Sequence, residues 1–298
     1  MNMRLTYKVS VVLMTTLGIS SCADLKSDLP APTNPGVQIH GEGWINPLAP
    51  SFHGNTIRVN NWDMRSCQTC HGVSYSGGTA GSSCLECHTN SAGPENCATC
   101  HGSSNPAPPR DLTGMVSPSS RGVGAHQIHL TGGALATDIP CSECHVVPTS
   151  TYGSPAHLDN SAGAELTFQG PQGTIVTGGG TRVPHPSYDA STLKCNNTFC
   201  HGDFVARRAD ADSVDRFAYT DTVIVGAQFS PLWTGGSAEA ACGTCHGLPP
   251  IGHVGPVTVQ QCGNSGCHPG IVNANGLISD KTKHMNGRIN VRGTERVF

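Results

Sequence analysis

The sequence predicts mostly irregular coil, with short helices at a set of repeated turns and a few short strands, around a core that side chains do not supply. Three observations predict it. Leu, Ile, Val and Phe number 57 of 298 residues, at the lower edge of what ordinary globular chains carry. Gly and Pro number 37 and 21, which makes the chain loop-rich without reaching low-complexity levels. Cys and His number 15 each, and their placement is ordered. A formal net charge of −3 argues against charge-driven disorder and gives no basic signature, so nucleic acid is excluded as a partner on this reading.

The predicted helices are the turns of the cysteine motifs. Fourteen Cys form seven pairs, and a His follows the second Cys of each. Five pairs are C-x-x-C-H: Cys67 and Cys70 with His71, Cys84 and Cys87 with His88, Cys97 and Cys100 with His101, Cys141 and Cys144 with His145, and Cys242 and Cys245 with His246. Two are wider: Cys195 and Cys200 with His201, and Cys262 and Cys267 with His268. C-x-x-C-H is the attachment signature of c-type haem. On a helical turn the two Cys and the following His share a face, so both sulfurs reach the haem vinyls while the imidazole reaches the iron. In the wide motifs the additional residues are turn formers, Asn196-Asn197 and Gly263 to Gly266, which bulge out and keep the same arrangement within reach. A zinc site joins Cys pairs to one another or to spaced His pairs. A disulfide framework needs no His after each second Cys, and a redox C-x-x-C motif occurs once per chain. Seven c-type haems are therefore expected, with His71, His88, His101, His145, His201, His246 and His268 as proximal iron ligands.

Eight His remain for the opposite face: His40, His53, His126, His129, His157, His185, His253 and His284. Beyond residue 22 only Met64, Met115 and Met285 offer a thioether instead. Eight candidates for seven positions favour two His per iron and low potentials throughout. His53, His157, His253 and His284 are the surest; His126 and His129, spaced i, i+3 on a short predicted helix, face two neighbouring haems. His40 and His185 are weaker, and one of the eight is spare.

Elsewhere, short strands are expected at Gly163–Phe168, Thr222–Val225 and Arg288–Val291, and a short helix at residues 279–285. Residues 170–180, with Gly178 to Gly180, read as a loop, because they lack the context of a phosphate-binding glycine motif. The string C-x-T-C-H-G recurs at Cys67, Cys97 and Cys242, and Pro108-Pro109 and Pro249-Pro250 follow two of the three, a degenerate internal repeat. The basic run Lys281, Lys283, Arg288, Arg292 and Arg296 reads as a solvated tail.

At the N-terminus, Arg4 and Lys8 precede an apolar run from Val9 to Ile19, too short to span a bilayer, which reads as an export signal. The string Ile19-Ser20-Ser21-Cys22 resembles a bacterial lipobox. That resemblance implies a signal peptide over residues 1–21, lipidation at Cys22 and, with Ala23 in place of a retention Asp, the outer membrane. Residues 22–39, with three Pro, read as a tether. The haem-bearing remainder divides into residues 40–170, with haems one to four, and 171–298, with haems five to seven.

Phe52-His53-Gly54, Cys195 to Gly202, Cys242 to Pro250, Cys262 to Pro269 and His284-Met285-Asn286-Gly287 give the chain a resemblance to the multihaem c-type cytochromes of metal-reducing bacteria that mix the two motif widths. The resemblance spans residues 40–290. It implies a haem-stack core and electron transfer at the outer membrane. The implied partners are other cytochromes or redox proteins, an outer-membrane porin–cytochrome complex, or an insoluble metal acceptor. Two rival readings are a multihaem reductase of a small oxyanion with one open haem, and a haem-filament subunit. The first needs a five-coordinate haem, against which eight distal candidates stand.

Overall fold

In a computed structural model the described residues are 39–107, 110–152, 157–158 and 163–298. The expected signal segment, Cys22, all but the last residue of the tether, and Pro108-Pro109 lie outside them. Residues through Thr56 and those from Ile57 onward form two compact units. In the first, successive turns dominate: Asn46 N–H donates to Gly43 O at 2.9 Å, and Phe52 N–H to Ala49 O at 3.0 Å.

Regular structure in the chain is short and local. Five α-helices occur among the described residues: α1 (His53–Val59), α2 (Gln68–His71), α3 (Cys97–Cys100), α4 (His126–Thr131) and α5 (Val259–Asn264). None is long and apolar enough to cross a membrane. Six strands make three antiparallel hairpins: β1 (Ser187–Asp189) with β2 (Lys194–Asn196), β3 (Val205–Arg207) with β4 (Val223–Val225), and β5 (Arg288–Val291) with β6 (Thr294–Val297). Two-stranded sheets are marginal alone and need packing partners. The β5–β6 turn shows how sequence sets one of them. Arg292 and Gly293 both have positive φ, at 50° and 78°, the backbone of a type I′ turn.

The side-chain core is correspondingly small. The buried apolar residues are Met64, Tyr75, Ala107, Val123, Phe199, Ala206, Ile224 and Ile271. Buried polar groups knit the segments instead. Thr177, with no exposed surface, accepts the Val205 N–H at 3.0 Å through its hydroxyl. Asp203, 2% exposed, pairs with Arg182.

The expected strands at Thr222–Val225 and Arg288–Val291 form as β4 and β5. Gly163–Phe168 forms none; only Leu166 bridges, to His145. The expected 279–285 helix shrinks to a 3₁₀ turn at Lys281–Lys283, capped by Asp280, whose carboxylate accepts the Thr282 N–H at 3.1 Å. It stops there because His284 takes extended backbone, φ −109° and ψ 132°. Residues 170–180 are turns, and Gly178, Gly179 and Gly180 all have positive φ.

The basic C-terminal run is not a solvated tail. Arg296 reaches Asp212 at 2.5 Å and Asp215 at 3.8 Å, and Arg292 reaches Asp215 at 3.5 Å. Lys283 pairs with Asp280, Arg288 with Glu295, and the Lys281 ammonium donates to Gly133 O. The β5–β6 turn aims the arginines at acids more than seventy residues upstream, a placement that composition does not reveal. Asp215 is 7% exposed, so Asp215→Ala is expected to cost about 1–3 kcal/mol, read as a lower denaturant midpoint of the haem-loaded protein. Asp210→Ala, which removes an exposed i, i+3 pair with Arg207, is expected to leave that midpoint nearly unchanged, because solvent screens an exposed pair.

Candidate haem-binding site

Each cysteine motif closes a turn that gathers its own Cys and His. In the first motif Cys67 ends a 3₁₀ turn, and Cys70 and His71 lie in α2. Cys70 is half-buried, and its carbonyl accepts the Thr79 hydroxyl at 3.3 Å, which ties the motif to the next turn of the chain. In the second and fourth motifs the first Cys carbonyl accepts both following amides: Cys84 O from Cys87 and His88 at 3.2 and 2.9 Å, and Cys141 O from Cys144 and His145 at the same two distances. The caps are local as well. Ser83 Oγ accepts the Leu85 N–H at 3.1 Å, and Asn96 Oδ1 the Ala98 N–H at 3.0 Å, so the second and third motifs start with capped turns.

In the wide motifs the turn is reached differently, and the single helical turn expected to carry both Cys is not what forms. Cys195 sits in β2 and Cys200 in a 3₁₀ turn (Phe199–His201), joined through Asn197 at φ 53°. Cys262 sits in α5, where the Thr258 N–H donates to Gln261 Oε1 at 2.7 Å. Cys267 falls beyond the end of α5, because four residues separate it from Cys262 and Gly266 before it takes φ 76°. Cys267 is half-buried, and its carbonyl accepts the Arg292 N–H at 2.8 Å, so the β5–β6 turn holds this motif in place. The His268 N–H still returns to Cys262 O at 3.1 Å, which closes the wide loop. The sixth motif, Cys242 to His246, forms turns and bends with no helix, unlike the expectation for these sites. Among the described residues no disulfide joins any of the fourteen motif cysteines.

The His rings then come together in pairs. His101 and His157 stand with ring centroids 6.3 Å apart, His126 and His145 at 6.3 Å, His129 and His201 at 6.3 Å, His253 and His268 at 6.3 Å, and His246 and His284 at 6.5 Å. Each pair joins one motif His to one of the eight remaining His. The near-constant separation has a chemical meaning. Two imidazole nitrogens each about 2.0 Å from one metal, plus the distance from nitrogen to ring centre, separate the centroids by roughly 6 Å.

The ring orientations carry a second regularity. Nδ1 lies within hydrogen-bonding distance of a backbone carbonyl in ten of these histidines: His53 with Trp44 O at 2.9 Å, His71 with Ser82 O at 2.9 Å, His101 with Pro106 O, His126 with Val123 O at 2.8 Å, His129 with Ala125 O at 2.9 Å, His145 with Glu165 O at 3.0 Å, His246 with Gly247 O at 2.9 Å, His253 with Val254 O at 2.7 Å, His268 with Asn290 O at 2.6 Å and His284 with Leu135 O at 2.7 Å. A carbonyl only accepts, so Nδ1 carries the proton and Nε2 presents its lone pair, the tautomer of a metal-ligating His. Burial also keeps several rings neutral, holding His101, His126, His129, His268 and His284 below the usual imidazole value and pushing His201 down to about 4. His201 differs, since its buried Nδ1 has no partner among the described residues.

Several of the cysteines are partly or largely buried. Burial raises Cys195 to about 11; burial and the neighbouring Cys195 raise Cys144 to about 11; burial and Glu143 raise Cys200 to about 12. Cys84 is raised by burial and by Cys67, and Cys262 by burial and, among lesser causes, by Cys242 and Cys267. Cys245 also contributes to raising Cys200, so cysteines of motifs adjacent in the chain are neighbours in space at four junctions. Gly202, just after His201, lets the fifth motif approach the sixth: φ is +93°, and a Cβ there would lie 1.9 Å from Cys245 O.

The remaining predicted residues fall as follows. His40 and His53 belong to the first unit, where His40 stacks on Trp44 with centroids 4.4 Å apart. His185 is exposed and among the described residues pairs with no other ring. Trp44 and Trp233, which contact the candidate axial rings, were not legible as site residues. The one sequence signal was the rarity of Trp, with three in the chain, two of them near His clusters only after folding.

A family model described as the Geobacter CxxxxCH...CXXCH motif matches residues 194–246, the stretch from just before Cys195 to His246. No curated protein matches the chain, and no solved structure does. The match supports a multihaem c-type cytochrome, an electron-transfer protein that is mostly coil with short helices and strands.

The Gly202 contact yields a test. Gly202→Ala is expected to destabilise the haem-loaded protein by about 2–4 kcal/mol, combining left-handed backbone strain with displaced backbone. Gly266→Ala, also at positive φ but facing open space, is expected to cost about 1–2 kcal/mol. Denaturant midpoints of the two variants check the order.

Proposed function

We propose that this protein carries electrons through seven covalently bound c-type haems, each held between two histidines. The observation that carries the reading is the set of five His pairs at one separation. Among the described residues, nine of those ten rings are anchored to a carbonyl, buried, or both, which favours a neutral ligand, and His157 is exposed. A c-type haem supplies one-electron exchange between ferric and ferrous iron at a potential set by axial ligands and burial.

The chain's own residues supply the rest. Cys67 and Cys70, Cys84 and Cys87, Cys97 and Cys100, Cys141 and Cys144, Cys195 and Cys200, Cys242 and Cys245, and Cys262 and Cys267 offer the thioether sulfurs. The five pairs set the third to seventh sites, and His40, His53 and His185 are the candidates left once those pairs are made. Leu85, Ile128, Val146 and Leu248, exposed beside the motifs at 40, 48, 44 and 39%, offer apolar surface suited to a porphyrin face. Porphyrin bulk and covalent and axial bonds thereby replace the missing side-chain core. Seven sites over the residues from Cys22 onward leave stretches so short that each needs such a staple to fold.

The lipobox-like string at Ile19–Cys22 supports export and a lipid anchor at the outer membrane, and the resemblance of the motif set supports a relay toward extracellular or outer-membrane acceptors. Two axial His per iron leave no open position, which favours a carrier over a reductase.

The haem content of the purified protein, by mass and by haemochrome absorbance, is expected to be seven. Redox titration is expected to give midpoints below zero throughout; midpoints all well above zero contradict the paired-His reading, as does stoichiometric CO binding by one reduced haem. His185→Ala is expected to leave the ferric spectrum unchanged, whereas His129→Ala converts one haem to a form that binds CO. The Cys-substituted, haem-free chain is expected to be largely unfolded by far-UV circular dichroism.

A further inference from the structure

Helix α4 places two candidate axial histidines, His126 and His129, one turn apart, and each pairs with the motif His of a different site, His145 of the fourth and His201 of the fifth. One side chain touches both. The Trp233 indole meets the His126 ring edge to face, with centroids 4.8 Å apart and planes at 89°, and lies nearly parallel to His129, at 5.9 Å and 20°.

The indole is fixed from both sides. Its Nε1–H donates to Arg121 O at 2.8 Å, just ahead of α4. Its backbone is tied to the strand that carries the fifth attachment site: Trp233 N–H donates to Leu193 O at 2.7 Å, Cys195 N–H donates to Pro231 O at 3.1 Å, and Leu232 bridges Lys194. Gly124 makes room, since a Cβ there would stand 1.9 Å from the indole nitrogen. A half-buried ring with its one polar atom satisfied and a glycine cleared for it is a constrained element rather than filler.

We propose that Trp233 is a positioning residue shared by two haem sites, holding the planes of His126 and His129 at fixed angles so that the fourth and fifth sites form one coupled unit. This rests on the paired-His reading of the function. The residue touches axial ligands and acts through them. Orientation and outer-shell contacts of an axial imidazole tune the electronics of the metal it binds, so one indole on two rings ties two sites to one packing event. Trp44 repeats the device in the first unit, stacked on His40 and tilted against His53 at 6.2 Å, with its carbonyl facing His53 Nδ1.

The test uses the full haem-loaded protein, with haem count and low-temperature electron paramagnetic resonance of the fully oxidised state as readouts. His126→Ala and His129→Ala first assign the two low-spin components that belong to the fourth and fifth sites. Trp233→Ala is expected to shift the g values of those two components and to leave the other five, with seven haems retained. Trp233→Phe, which keeps a ring but loses the Arg121 contact, shifts the same two by less. Gly124→Ala, whose Cβ would collide with the indole nitrogen, moves the same two. Trp44→Ala moves neither. Spectra unchanged in both Trp233→Ala and Gly124→Ala would overturn the proposal, as would shifts spread over all seven components. If the unaltered protein lacked seven low-spin paired-His signals, the functional reading itself would fall, a result separable from a normal starting spectrum that ignores Trp233.

Discussion

The structure depends on the hydrogen bond from imidazole Nδ1–H to a backbone carbonyl. Each such bond turns a flexible ring into a fixed one with its other nitrogen bare, and eight of the ten rings so held face a partner imidazole. Ten rings are held in this way, and their acceptors include carbonyls near in sequence, such as Gly247 for His246, and far away, such as Leu135 for His284. The distant ones do two things at once. Each orients a ligand and also ties two segments that no hydrophobic core brings together.

That dual use explains how so little regular structure can hold a defined site. Among the described residues only eight apolar ones are buried, most of them outside any strand or helix, far too few to offset the conformational entropy of the chain by side-chain burial alone. The ordering comes from many local devices: capped turns at the cysteine motifs, the Arg292-Gly293 turn that also holds Cys267, the Asp215 ion pairs, the satisfied buried Thr177. Their common effect is to bring motif histidines opposite other histidines. On the proposed reading, haem would complete a core whose polypeptide share is mostly scaffold.

How much of this was legible follows from the range of each interaction. The cysteine motifs are local in the chain, so spacing alone singled out candidate attachment cysteines and motif histidines, and the wide motif at Cys195 is part of the stretch that a family model matches. Helix α4 and strands β4 and β5 were also legible, because hydrophobic and β-branched patterns act over a few residues. Which distal His faces which motif His was not, since His126 meets His145 across nineteen residues but His246 meets His284 across thirty-eight. The carbonyl acceptors left no trace in residue type at all, because every residue has one. Trp233 stayed hidden for a related reason: its role comes from Arg121 and Gly124, more than a hundred residues upstream. Gly163–Phe168 misled because alternating apolar residues there meet only a single partner, His145, instead of a second strand.

The central claim is that paired neutral histidines hold the iron throughout and that the chain is built to present them. Near-infrared magnetic circular dichroism of the fully oxidised protein tests it most directly, because its charge-transfer bands report the axial ligand set of each ferric haem. The account predicts only paired-His low-spin intensity, scaled to seven haems. A His/Met band, or a high-spin band amounting to one haem or more, would contradict it.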